Sequence, residues 1–141
     1  MANIIGGSTG TPFDDSAPDI VGVQKVSVWA GATGVEAIQA TYNLQNGGAR
    51  EGGKHGGPSQ AQPSTFILAE GTDLNKMDVF TDQKSVLQLT FFDTKGQRHG
   101  PYPESISTSG NVFTIPNPPR TIVSFLGRSS NKLDAIGVNT N

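Results

Sequence analysis

Ile122-Val123-Ser124-Phe125-Leu126, then Gly127-Arg128-Ser129-Ser130-Asn131-Lys132, then Leu133-Asp134-Ala135-Ile136-Gly137-Val138 is the stretch whose reading decides the fold. An apolar run leads into a glycine-started polar loop, and the loop runs straight into a second apolar run. Short runs bounded in this way read as β-strands. One carboxylate, Asp134, sits where the loop meets the second strand. A group held on a strand needs little ordering when a ligand arrives, which suits a binding role, and the junction predicts that it still reaches solvent. The same spacing also fits a solvated aspartate that merely ends a loop.

The pattern extends along the rest of the chain. Val21 and Val23, then Val26, Val28 and Ala30, mark a strand whose phase changes near Gln24-Lys25, as a β-bulge would produce. Ile38, Ala40, Tyr42 and Leu44 alternate with Gln39, Thr41 and Asn43. Phe66-Ile67-Leu68 is a short apolar run, and Leu87, Leu89 and Phe91 alternate with Gln88, Thr90 and Phe92. Val112-Phe113-Thr114-Ile115 adds one more. The runs are separated by Asn46-Gly47-Gly48, Gly56-Gly57-Pro58, Lys95-Gly96 and Pro116-Asn117-Pro118-Pro119, all turn-forming. The helical candidate Asp73 to Val79 is too short to count. An all-β sandwich, barrel or prism follows.

Length and composition set the outer bounds. At 141 residues the chain is expected to form a single domain over 1–141 with its own core. Eighteen glycines and nine prolines fit a turn-rich fold with little helix. A formal net charge of -2, with 16% charged residues, gives no electrostatic footprint for nucleic acid. The weakly basic Arg50-Glu51-Gly52-Gly53-Lys54-His55 reads as a solvated loop. No cysteine is present, so disulfides and sulfur-ligated zinc are excluded. His55 and His99 lack a second ligand at metal spacing, and no cofactor is expected. No run of about 18 apolar residues exists to span a membrane. Met1-Ala2-Asn3-Ile4-Ile5 lacks the features of a signal peptide, so a cytoplasmic location is expected, with unconventional export left open.

A faint repeat is present. Gly6-Gly7-Ser8-Thr9-Gly10-Thr11-Pro12-Phe13, then Gly56-Gly57-Pro58 with Pro63-Ser64-Thr65-Phe66, then Thr108-Ser109-Gly110-Asn111-Val112-Phe113 each place a glycine-containing loop before a phenylalanine. Three copies fit pseudo-threefold symmetry, although reuse of glycine turns in a β-protein would look the same.

Taken in order, these pieces resemble the jacalin-related lectins. Gly6 to Asp15, Trp29-Ala30-Gly31, Val35 to Tyr42, His55-Gly56-Gly57, Phe66 to Gly71, Leu89-Thr90-Phe91, Gly100-Pro101-Tyr102 and the terminal Leu133-Asp134-Ala135-Ile136-Gly137 carry the likeness over nearly the whole chain. The resemblance implies the β-prism I fold, three four-stranded antiparallel Greek-key sheets with pseudo-threefold symmetry. It implies metal-independent carbohydrate binding, and the residues themselves, weighed below, give no expectation of an enzyme. The site residues it implies are the backbone N–H of Gly10, the backbone amides of Asn131 and Lys132, and the Asp134 carboxylate. One departure stands out: Ser130 occupies the position where the family motif has glycine, so the turn takes another geometry or the site is narrower or weaker. An uncleaved chain with nine residues before Gly10 favours mannose- or glucose-containing glycans and glycoproteins over galactose. Weak single sites imply a homodimer or higher homo-oligomer.

The resemblance also permits further sites on the equivalent loops of the other sheets. The Gly31-Ala32-Thr33-Gly34 loop has no acid before Glu36, and the partner of the Asp78 to Asp82 loop carries Pro58, so one good site per chain is expected. Trp29 is expected in core or interface packing rather than stacked on a sugar. Asp14-Asp15 is a poor hydrolytic pair, because adjacent side chains on an extended chain face opposite ways. A turn or cap role suits it better. His55, Ser59 and Asp73 contain triad elements without triad spacing. The alternative to a lectin is a β-prism serving protein interaction or structure, its sugar site weakened or dead through Ser130.

Overall fold

The computed structural model describes residues 4–59 and 61–141. Met1 to Asn3, part of the segment read as lacking a signal peptide, and Gln60 lie outside the described residues. The strands in chain order are β1 (Ile4–Gly6), β2 (Thr11–Asp14), β3 (Ile20–Gly31), β4 (Gly34–Leu44), β5 (Ala49–Glu51), β6 (His55–Gly56) and β7 (Ser64–Ile67). After them come β8 (Leu74–Thr81), β9 (Val86–Asp93), β10 (Arg98–Tyr102), β11 (Asn111–Ile115), β12 (Ile122–Ser129) and β13 (Leu133–Thr140).

They form three antiparallel sheets built to one plan. The first runs β1-β13-β12-β2, the second β5-β4-β3-β7 with β6 also on β4, and the third β10-β9-β8-β11. Each has a long central hairpin flanked by two short outer strands. The three repeat phenylalanines, Phe13, Phe66 and Phe113, fall on β2, β7 and β11, the corresponding outer strand of each sheet. The pseudo-threefold reading of the sequence is therefore met in the strands themselves, and the β-prism architecture is realised.

Period-2 alternation delivers one face of every sheet to a common core. Val26, Val28, Met77, Val79, Leu89, Phe91, Phe125 and Ile136 are all fully buried there. The Phe91 and Phe125 rings meet edge-on at 6.1 Å, the geometry the ring quadrupoles favour. Emptying either position would cost about 3–5 kcal/mol.

Bulges explain where alternation misleads. The phase change near Gln24-Lys25 is a register shift between Val23 and Lys25 in the β3–β4 pair. A second shift, between Ile20 and Gly22, turns Ile20 inward and leaves Val21 47% exposed. In β8 a shift between Leu74 and Lys76 places the buried Leu74 and Met77 three residues apart, which imitates one helical turn in what is a strand. The polar loop read from Gly127 is shorter than expected, because β12 continues to Ser129 and the turn is Ser130 to Lys132 alone. Its pairing with β2 on one edge explains the extension.

Candidate functional site

The first sheet brings the two ends of the chain together. β1 pairs with β13 through Ile4↔Gly137, Ile5↔Ile136 and Gly6↔Ala135, and the Gly7 N–H donates to the Asp134 carbonyl at 2.8 Å. β2 lies along β12 on the far side. The loop between β1 and β2 is thereby stretched across the end of the hairpin that carries Asp134. Gly10 rests against that carboxylate. Its φ of +89° is left-handed, and a β-carbon there would lie 2.4 Å from Asp134 Oδ2 and 2.8 Å from the Ser129 carbonyl oxygen. Only glycine meets both conditions.

Asp134 differs from expectation in one respect. It is 1% exposed rather than open to solvent, because the loop from the start of the chain closes over it. The Thr9 hydroxyl reaches Oδ1 at 3.5 Å, the outer limit of a hydrogen bond. Oδ2 is buried with no partner at all, alone among the described side-chain atoms. None of the three ion pairs among the described residues involves it. A buried acceptor without a donor costs free energy that the fold does not recover internally. The arrangement leaves acceptor capacity at Oδ2 that no protein donor uses among the described residues.

Further backbone donors lie on the turn that leads into Asp134. Asn131 and Lys132 are exposed on the turn, and among the described residues neither of their N–H groups, nor that of Gly10, is used in a loop or turn hydrogen bond. The turn closes instead through the Ser130 N–H to the Lys132 carbonyl at 2.9 Å. Ser130 keeps an ordinary backbone, since Gln83 is the one non-glycine with positive φ among the described residues. Serine is therefore accommodated at this position without a left-handed backbone.

The remaining candidates disperse. The His55 ring bonds Asp15 Oδ1 at 2.8 Å and stacks on Phe13 at 3.7 Å, while Asp15 Oδ2 accepts from Tyr42. Burial, then the Asp15 charge, pushes the Tyr42 hydroxyl far above its ordinary range. The Ser59 hydroxyl donates to Glu36, and Asp73 lines a cleft at the opposite end of the prism, so no triad assembles. Asp14 accepts the Ser16 amide at 3.0 Å, the turn role anticipated for it. Asp78 is engaged by Thr114, and Asp82 caps its own turn through the Lys84 and Ser85 amides, each at 2.9 Å. Trp29 is half-buried on the outward side of β3 with the Lys54 ammonium 4.2 Å above its ring, so it is no core residue. No group of three or more potential metal-binding side chains occurs among the described residues. Thr9 and Arg128 carry no signal in the sequence, and the fold brings them to the site from opposite ends.

Comparison with known proteins agrees with this geometry. The Jacalin-like lectin domain family matches residues 2–139. Jacalin-related lectin 3 of Arabidopsis thaliana is 33% identical over 94% of this chain, and Jacalin-related lectin 33 of the same plant is 32% identical over 95%. The chain spans only 22% and 45% of the lengths of those two relatives. The mannose-binding lectin of champedak superposes with a TM-score of 0.85 at 27% identity, covering 100% of this chain and 96% of its own. The chain belongs to the jacalin-like lectin domain family.

Proposed function

We propose that this chain is a metal-independent carbohydrate-binding domain that holds one mannose- or glucose-type residue between the Gly10 loop and Asp134. The observation that carries the reading is the buried, partnerless Oδ2 of Asp134 beside unused backbone donors. A hexopyranose presents adjacent hydroxyls that donate and accept. The carboxylate accepts from two of them, and the N–H groups of Gly10, Asn131 and Lys132 donate to ring and hydroxyl oxygens. Main-chain donors and a strand-held carboxylate are already ordered, so little entropy is lost on binding. The exposed Thr9, Asn131 and Lys132 side chains change rotamer freely and admit the sugar.

Each charge-assisted bond contributes about 1.5–3 kcal/mol, so two of them bring a monosaccharide to roughly millimolar affinity. Useful avidity then comes from several sites together, which favours a homodimer or higher homo-oligomer. That the champedak protein is a mannose-binding lectin supports the choice of sugar. The test is retention on mannose–agarose and elution by methyl α-mannoside. The unmodified chain is expected to be retained, and Asp134→Ala, folded by circular dichroism, is expected to pass through. Flow-through of the unmodified chain on mannose and glucose matrices alike would leave a protein-interaction or structural role instead.

A further inference from the structure

Arg128 lies on β12 opposite Pro12 of β2. The Asp15 N–H donates to the Phe125 carbonyl at 3.0 Å, so along this register Pro12–Arg128 is a non-bonded pair and the proline nitrogen faces the open edge of the sheet. The side chain of Arg128 reaches past the start of β2 to the loop before it. Its Nε donates to the Thr9 carbonyl at 3.2 Å and its Nη2 to the Gly10 carbonyl at 2.9 Å. Among the described residues, Ser8, Thr9 and Gly10 make no backbone hydrogen bond of their own in the loop, so the guanidinium is the main polar tie holding this segment to the sheet. A planar fork with two donors fixes the orientation of two successive peptides, which a point charge cannot do.

The chemistry of the tie matters as much as its geometry. The carbonyl of Thr9 and the N–H of Gly10 belong to one peptide unit. A cationic donor on that carbonyl draws electron density along the unit and makes its N–H a stronger donor, as in any hydrogen-bonded chain. Arg128 makes no ion pair with Asp134, so it does not compete for the carboxylate that the sugar needs.

We infer that Arg128 is a positioning residue for the saccharide site, orienting and polarising the Thr9–Gly10 peptide without touching the sugar. The inference rests on the reading of Gly10 and Asp134 as the sugar-binding pair. The experiment compares the full chain with Arg128→Ala and Arg128→Lys in two measurements. The first is affinity for methyl α-mannoside by calorimetry. The second, on sugar-free protein, is the nitrogen chemical shift and hydrogen-exchange rate of the Gly10 amide, which a merely structural role would not move. Arg128→Ala is expected to weaken binding by about fivefold to tenfold, move the Gly10 nitrogen upfield and speed its exchange. Arg128→Lys, which keeps the stem and charge but not the fork, is expected to fall between. An unchanged Gly10 amide in Arg128→Ala, or unchanged or tighter sugar binding, overturns the inference. Failure of the unmodified chain to bind any saccharide overturns the parent reading, and the sugar-free amide data then decide separately whether Arg128 sets this peptide.

Discussion

The ends of the first and second sheets are built alike and finish differently. Gly6 pairs with Ala135 and Gly56 with Ala37, at φ of +134° and +133°. The next residue donates to the carbonyl of the acid-bearing position in both: Gly7 to Asp134 at 2.8 Å, Gly57 to Glu36 at 3.1 Å. Glu36 is therefore the counterpart of Asp134. Its carboxylate, however, accepts the Ser59 hydroxyl, whereas Oδ2 of Asp134 accepts nothing. In the third sheet the same bulge position, skipped between Phe80↔Gln88 and Thr81↔Val86 as Asp134 and Glu36 are skipped in theirs, holds the buried apolar Leu87. One scaffold thus holds a carboxylate with a buried, partnerless oxygen in the first sheet, a half-buried carboxylate engaged by Ser59 in the second and an apolar side chain in the third. The repeats therefore differ in the side chain that the shared bulge presents, while the central hairpins follow one plan in all three.

The sharpest way to break that contrast is to satisfy Asp134. Asp134→Asn keeps the shape and removes the charge. Two charge-assisted bonds to the sugar are weakened together, so affinity for methyl α-mannoside is expected to drop by about a hundredfold or more. The fold is expected to respond in the opposite sense. An unpaired buried charge is costly, and removing it leaves Tm unchanged or higher. Calorimetry and thermal unfolding of the same sample check both halves. A large loss of Tm would mean that Asp134 serves the fold and that the contrast with Glu36 is not about ligand capacity.

Gly10→Ala comes next. The added carbon would meet Oδ2 at 2.4 Å from a backbone at φ +89°. Binding is expected to fall at least tenfold, with about 1–3 kcal/mol of stability lost to backbone strain. Chemical denaturation measures the second quantity. A variant that bound normally would show that the loop has room to spare and that close approach is not what selects glycine.

Much of this contrast is legible in the order of the amino acids. Alternation locates the central hairpin strands, and the glycine-before-phenylalanine echo marks equivalent outer strands through Phe13, Phe66 and Phe113. The terminal Leu133-Asp134-Ala135-Ile136-Gly137, read with the loop at Gly10, points to the right pair of segments. What stays hidden does so for local reasons. β1 and β10 are short edges with no alternation to detect, ordered only by their neighbours. The bulge in β8 gives Leu74 and Met77 a helical spacing. The burial of Asp134 is invisible because the loop that covers it comes from 125 positions earlier. For the same reason Arg128 carries no signal: its two acceptors lie 119 and 118 residues away. Ser130 looks like a defect because the family pattern has glycine there, while the backbone of this turn needs none.

A smaller effect is expected from acid, and it should fall on the first sheet before the second. The Gly10 loop is backed at Gly7 by the Lys84 carbonyl, where a β-carbon on Gly7 would come within 2.2 Å. The turn holding Lys84 is capped by Asp82. Burial works to raise the Asp82 carboxyl, but the Lys84 and Ser85 amides outweigh it and hold it below its ordinary 3.8. A carboxyl depressed in the folded state contributes stability that is present above that ordinary value and lost as pH falls through the folded one. Below pH of about 4 the cap weakens, and the Gly7 amide is expected to exchange faster. Gly57, backed by the Asn131 carbonyl with no carboxylate cap, is expected to hold longer. Asp82→Asn at neutral pH should reproduce the difference. Equal loosening of both loops would remove the turn as its cause.

The smallest expected effect is the most discriminating for the comparison itself. Glu36 faces a cleft of about 200 Å³ that Asn131 and Lys132 also line, so it is near the proposed sugar site without being part of it. If the second sheet's acid is occupied by Ser59, replacing it with the neutral isostere in Glu36→Gln preserves that bond and removes only a solvent-screened charge that does not contact the sugar. Affinity for methyl α-mannoside should change by less than about threefold, and the calorimetric stoichiometry should stay at one sugar per chain. A fall from two sugars to one would show that Ser59 yields its partner to a ligand and that both carboxylates bind. The hydroxyl would then be a removable plug, and the distinction between the two ends would be one of affinity rather than of kind.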